Sequence, residues 1–258
     1  MKILRYQTRT EPETYGWILD ARVGAINGDI FGIYRRLEAS QPIEHVKILP
    51  PTRPSKIIAI RKNFLYNTPE TGPESVPEFP QLFLKPPSSV SGTNQNITIP
   101  PQTETVTFSP ELAIVIGKQA RWVPLAEATN YIFGYTCALN FFSSDILDRH
   151  PEEVVRAYGF DTFTTLGPWI ETDLLTDDLL ITSYINDQLI QLQSLREMLF
   201  SIPQLISFAS SFMTLEPGDI LLSGGNPYPE SIKPGDKIRV EIEALGTLQT
   251  IAKQAETH

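Results

Sequence analysis

A mixed β-rich (α+β) fold is what this sequence predicts, and three observations carry the prediction. Its 22 prolines fall largely between short apolar runs, a pattern of many brief strands joined by punctuated turns. Two pairs of turn residues, Asn27-Gly28 and Asn186-Asp187, sit inside alternating stretches, as two-residue hairpins do. Only one segment, residues 202–213 (IPQLISFASSFM), reads as a good amphipathic helix, with Pro203 near its start.

Taken in order, residues 15–33 alternate and predict a hairpin turning at Asn27-Gly28. The Pro-rich stretch 48–55 (ILPPTRPS) predicts a boundary, so that residues 1–50 form a small N-terminal β-rich unit and residues 51–258 the main domain. Beyond it, 56–60, 81–85, 111–118 and 134–142 read as strands. The run ELAIVIGK at 111–118 is almost continuously apolar, which predicts burial on both faces. Residues 143–158 have a helical rhythm broken at Pro151, and 179–193 predict a second hairpin at Asn186-Asp187. Pro217-Gly218 and Pro234-Gly235 each predict a turn that launches a strand, Pro pre-setting one φ and Gly supplying a positive one. The segment 66–80 carries four prolines and little apolar surface, which makes it a tether or a functional lid.

Composition narrows the function. Lys and Arg number 21 against 30 Asp and Glu, a net charge of −9, which repels phosphate backbones and anionic membrane surfaces. No apolar run approaches the roughly 18 residues of a membrane span. The opening MKILRYQTRTEPETYG cannot form a secretory apolar region, and the single cysteine, Cys137, permits no intrachain disulfide; both predict a cytoplasmic setting. Cys137 with His45, His150 and His258 makes no common zinc spacing. The phosphate-cradling glycine motifs and the G-x-S-x-G elbow are missing as well.

The order of motifs then becomes informative. KIIAIRKNF, LFLKPPSS, PELAIVIGK, GYTCALNFF, FDTFTTLGPW, FMTLEPGDILLSG and IKPGDKIRVEIEALGTL follow one another across about residues 56–252. In sequence and spacing they resemble the fumarylacetoacetate hydrolase family, and the N-terminal unit resembles that of the family's bacterial isomerase, hydratase and decarboxylase members. The resemblance implies a strongly curved β-sheet roll, a homodimer, a small-molecule substrate, and Mg²⁺- or Mn²⁺-dependent chemistry. That chemistry spans C–C hydrolysis of β-diketones, decarboxylation of oxaloacetate-like acids and keto–enol isomerisation.

Carried over position by position, the resemblance predicts an altered site. The family's metal-binding Glu-x-Glu falls on Ser109-Pro110-Glu111 and its Asp on Asn140. Glu111 is then the one retained ligand, and a hard divalent cation that wants about six oxygens loses most of its attraction. The expectation is no tightly bound metal, and at most a weak Mg²⁺ or Mn²⁺. The lid pattern G-R-N-Y-x-x-H-x-x-E falls on residues 61–70, so that Glu70 is kept while Asn67 replaces the basic His; an amide accepts no proton near neutral pH. The family's Lys becomes Tyr158, its T-G-T-P loop becomes Ser223-Gly224-Gly225-Asn226, and its S-A-R-D element becomes Phe142-Ser143-Ser144-Asp145.

Glu70, Glu111, Asn67 and Tyr158 are therefore the candidate catalytic groups. Lys62, Asn63, Lys85, Asn140, Gly225 and Asn226 are the candidate substrate contacts. The plainer readings are that Glu70 is a solvated loop acid and Glu111 a paired remnant. Three functions stay open. One is a divergent enzyme acting on a β-dicarbonyl or enol without a tightly bound metal, in a tailoring or cyclisation step. Another is a non-catalytic partner subunit, whose pocket Phe141, Phe142 and Tyr158 would plug. The third is a conventional metal-dependent isomerase, C–C hydrolase or decarboxylase.

Overall fold

The computed structural model describes residues 1–64, 76–226 and 231–256. Its strands, in chain order, are β1 (Lys2–Gln7), β2 (Thr14–Leu19), β3 (Arg22–Gly28), β4 (Tyr34–Arg36), β5 (Gln41–Pro42), β6 (Lys47–Leu49), β7 (Ile57–Arg61), β8 (Gln81–Lys85), β9 (Val90–Gly92), β10 (Asn96–Ile99), β11 (Val106–Ile116), β12 (Ile132–Ser143), β13 (Thr164–Glu171), β14 (Leu180–Ile185), β15 (Gln188–Ser194), β16 (Ile220–Leu222), β17 (Lys237–Ile242) and β18 (Gly246–Gln254). The described residues also form three short α-helices, α1 (Ser144–Arg149), α2 (Val154–Tyr158) and α3 (Ile202–Phe212), and four 3₁₀ turns. None of the described helices is long and apolar enough to cross a membrane.

Thirteen strands join one large mixed sheet, whose main path runs β4-β3-β2-β1-β13-β12-β11-β16-β7-β8. A second sheet, β10-β18-β17-β14-β15, lies against β11–β13. The first fifty residues enter the large sheet through β1, which pairs with β2 on one side and with β13 and β6 over different stretches of the other.

β11 shows why a continuous apolar run becomes a central strand. All eleven of its residues are buried. Leu112, Ile114 and Ile116 join the core between the sheets, while Ala113 and Val115 join the core on the opposite face. The strand begins five residues before the predicted Glu111 and runs through Pro110. Both backbone polar groups of Leu112 meet Ser223, so Pro110, two residues back, turns its missing N–H to that same edge. β16 pairs there only with residues 113–115, and no ladder bond is lost.

One turn prediction is corrected. The hairpin of β2 and β3 closes at Asp20-Ala21, with φ of 47° and 60°, and Leu19 faces Arg22 across it. Asn27-Gly28 instead ends β3, where Gly28 takes φ +111°. The chain then makes a longer turn in which Asp29 Oδ1 accepts from the Phe31 N–H and Ile33 O accepts from Asp29 N–H. The turn at Asn186-Asp187 is where it was predicted, at φ 50° and 66°. α3 likewise follows its pattern, opened by a Ser201–Gln204 capping box.

Candidate functional site

β11 and β12 run antiparallel with Ser109 directly opposite Asn140 and Glu111 opposite Ala138. Period-two alternation puts Ser109, Glu111 and Asn140 on one face of the large sheet. The three sit on the floor of a cavity of about 220 Å³. Its walls come from the end of β7 (Ile60, Arg61) and Lys62, from Gly225, and from Phe142, Leu147 and Tyr158. None of the three aromatic residues plugs the cavity: Phe142 and Tyr158 form its wall, and Phe141 is wholly buried in the core behind it.

Glu111, 1% exposed, is held by two donors. Asn140 Nδ2 donates to Oε1 at 2.8 Å and the Gly224 N–H donates to Oε2 at 2.9 Å. The other end of the Asn140 amide is also used, Oδ1 accepting from Lys85 Nζ at 2.5 Å. Lys85 Nζ donates further to the carbonyls of Phe163 at 2.8 Å and Phe141 at 3.4 Å. A buried ammonium and a buried carboxylate are thus bridged by one oriented amide. Burial pushes the Glu111 carboxyl up to about 7, against the Asn140 hydrogen bond and the charge of Lys85. Burial likewise pulls the Lys85 ammonium down to about 7, against the charge of Glu111.

Tyr158 stands over this pair. Its ring lies 5.6 Å from Lys85 Nζ, stacks on Phe142 and tilts against Phe83. Burial holds its phenol well above the usual tyrosine value, so it is a neutral hydrogen-bond donor at physiological pH. On the opposite wall Lys62 takes φ +55°. The turn there leaves Arg61 and Lys62 at the cavity while Asn63 and Phe64 enter the interior.

Not every predicted contact lies at the cavity. Asn63 is a fastener: Nδ2 donates to Ser223 O at 2.7 Å and to Phe200 O at 3.2 Å, and Oδ1 accepts from Phe200 N. Lys85 sits beneath the floor, not on it. Asn226 is tied to β15, donating its N–H to Gln193 Oε1 and accepting from Gln191 Nε2. Asn67 and Glu70 lie outside the described residues. Asp145 is used locally: burial raises its pKa, but the Thr103 and Ser143 hydroxyls outweigh that and hold it well below the usual range. Arg61 is the residue that sequence reasoning passed over. Its signal was present, since it replaces the glycine that opens the lid pattern.

Gly225 is where backbone must come close. A Cβ there would lie 2.5 Å from Pro110 O, 2.6 Å from Ser109 Oγ and 3.2 Å from Glu111 Cγ. Gly225→Ala is expected to lose about 1–3 kcal/mol in urea denaturation by overpacking. A variant within about 0.5 kcal/mol of wild type would show that the loop moves aside freely.

The oxygens on this floor suit a divalent metal poorly. Among the described residues no three His, Cys, Asp or Glu side chains come together. Among the described residues Glu111 is the one carboxylate on the floor; each of its oxygens already gives one lone pair to an N–H donor, and the Asn140 amide oxygen accepts an ammonium. Mg²⁺ and Mn²⁺ favour near-octahedral oxygen sets with several carboxylates or waters. The residues present do not fit the metal that the resemblance implies.

Comparison with known proteins gives consistent matches. Residues 56–251 match the model of the fumarylacetoacetate (FAA) hydrolase C-terminal family. The rat protein named oxaloacetate tautomerase Fahd2a, mitochondrial, is 34% identical over 231 residues, covering 84% of this chain and 74% of its own. The crystal structure of 5-carboxymethyl-2-hydroxymuconate delta-isomerase from Mycobacterium smegmatis superposes with a TM-score of 0.90 at 32% identity, covering 99% of this chain and 100% of that one. Maleylpyruvate hydrolase from Sphingobium sp. SYK-6, solved with manganese(II) and pyruvate, gives 0.80 at 25% identity over 99% of this chain and 100% of that one.

Proposed function

The chain belongs to the fumarylacetoacetate hydrolase family, and from that premise we propose that it catalyses proton transfer between the keto and enol forms of a small acidic dicarbonyl compound. The observation that carries the reading is the placing of Glu111: a buried carboxylate on the floor of a cavity whose wall carries Arg61 and Lys62. A cavity of about 220 Å³ suits a substrate smaller than drug size. Two of the relatives bear the names of a tautomerase and an isomerase, which agrees with a reaction that breaks no C–C bond.

In the keto-to-enol direction Glu111 takes a proton from the carbon between the two carbonyls. The C–H electron pair becomes the C=C bond, and the carbonyl π pair moves onto oxygen as an enolate. The enolate then takes a proton from solvent on its oxygen, and Glu111 returns its own proton to solvent, so the exchange balances. Each Glu111 oxygen keeps a second lone pair beyond those used by Asn140 and Gly224. Tyr158, Arg61 and Lys62 supply donors and positive charge for the enolate and the substrate carboxylate. No step in this reading passes through a metal.

The test uses oxaloacetate, followed by enol absorbance in the presence of a chelator. Acceleration over the buffer rate supports the reading; none with oxaloacetate or with a panel of β-diketo acids overturns it. Arg61→Gln is expected to raise KM for an acidic substrate about tenfold with little change in kcat, the loss of one charge-assisted hydrogen bond of about 1.5 kcal/mol. Arg61→Lys should recover part of it. Steady-state kinetics decide, and an unchanged KM would remove Arg61 from the binding wall.

A further inference from the structure

We infer that the lost metal ligands are a matched conversion to a metal-free site, in which the Lys85–Asn140–Glu111 chain takes over the work of holding the floor together. This stands on the geometry of the floor and not on the reaction proposed above. Three carboxylates around a divalent cation carry a formal charge of −1, and Glu111 alone carries the same −1. The buried Lys85 ammonium balances either arrangement. Losing one carboxylate would have left the cation underbound, whereas losing two together with the cation leaves the buried charge unchanged.

The hydrogen bonds complete the conversion. An Asp at position 140 could offer oxygen in both directions, to Lys85 and to a metal. Asn140 offers oxygen only toward Lys85, at 2.5 Å, and turns its amide donor to Glu111, at 2.8 Å. An N–H donor now points along the direction from which a cation would have to be held. The Gly224 N–H occupies one lone pair of the second Glu111 oxygen at 2.9 Å, and Gly225 brings backbone close to Ser109 and Glu111. A cation entering this floor would have only the remaining lone pair on each Glu111 oxygen and would face the Asn140 amide hydrogens and the Gly224 N–H.

The experiment is a titration of chelator-stripped full-length protein with Mn²⁺, read by calorimetry and by melting temperature, for wild type and for Ser109→Glu/Asn140→Asp. Wild type is expected to show no saturable binding and no rise in Tm up to about 1 mM Mn²⁺. The double variant, with three carboxylates restored, should bind one Mn²⁺ per chain and gain about 5 °C or more at saturation. One Mn²⁺ per wild-type chain at micromolar affinity, lost in Glu111→Gln, overturns the inference. So does a folded double variant that still ignores Mn²⁺. Should the double variant not fold, wild type and Asn140→Asp decide: the inference holds if only the variant responds to Mn²⁺ and fails if both or neither do. Failure of the proposed reaction is separately visible. Wild type that neither binds Mn²⁺ nor turns over oxaloacetate keeps this inference and removes the reaction, whereas wild type that binds one Mn²⁺ per chain and still turns over oxaloacetate in the presence of a chelator does the reverse.

Discussion

Glu111→Gln should lower turnover of an enolisable dicarbonyl by about 10²–10⁴-fold, the range that one positioned acid–base group supplies. The side chain keeps its volume, so the cavity keeps its shape, and only the capacity to take a proton is removed. In wild type kcat/KM should rise with pH, because the working form is the carboxylate and burial sets its pKa near about 7. An exposed glutamate would have reached its plateau already near about pH 5.5. The groups facing Glu111 are Asn140, the Gly224 N–H and, through Asn140, Lys85; Arg61, Lys62 and Tyr158 share the cavity. None of these adds a second carboxylate that could mimic the limb. The residual rate of the variant should be flat over the same interval. A wild-type profile without a limb between about pH 5.5 and 8, or a variant within threefold of wild type, would remove Glu111 as the proton carrier.

Most of the fold could be read because its elements announce themselves by local chemistry. ELAIVIGK has no polar face to show to water, so it must be a strand covered on both sides, and alternate residues of β11 do enter two different cores. Asn186-Asp187 tolerates the positive φ that a two-residue turn needs. The N-terminal hairpin was misplaced for the same reason read in reverse. Asp20-Ala21 carries no glycine, and an alanine at φ +60° is held there by the flanking strands and not by its own preference.

The site was legible in its membership more than in its roles. Aligning motifs put Ser109, Glu111 and Asn140 together, and the β11–β12 register does bring them to one face. Motif order could not show that Lys85 lies beneath the floor, that Asn63 fastens loops, or that Asn226 faces β15. Those depend on which way each side chain leaves its strand or turn, settled by pairings with residues as distant as Phe163, Phe200 and Gln193. Arg61 was passed over because the pattern held a glycine there, and a missing glycine draws less notice than a gained charge should.

Lys85→Met carries the largest expected effect on stability, a loss of about 3–5 kcal/mol out of a total of about 5–15 kcal/mol. Removing the ammonium strips the donor from Asn140 Oδ1 and from the Phe163 and Phe141 carbonyls, and leaves Glu111 as a buried carboxylate with no opposite charge beneath it. The pH dependence follows from the sign of the shift. Glu111 is raised in the fold from 4.5 to about 7, so its neutral form is the one the fold prefers, and stability falls as pH climbs from about 4.5 through 7. Lys85 is lowered from 10.5 to about 7, so its contribution falls as pH drops from about 10.5 through 7. In wild type the two ions offset one another through Asn140 in that interval. In Lys85→Met only the glutamate's penalty remains, and the variant's deficit should be larger at about pH 8 than at about pH 5. Adding Glu111→Gln should return part of the loss at pH 8 and little at pH 5, because a buried ion pair replaced on both sides by neutral groups of similar size is near neutral or stabilising. Urea denaturation of the four proteins at the two pH values measures the cycle. A single variant as stable as wild type, or a double variant that recovers nothing at pH 8, would mean that Lys85 holds β8 to β12 as a spacer and that its charge does not act on Glu111.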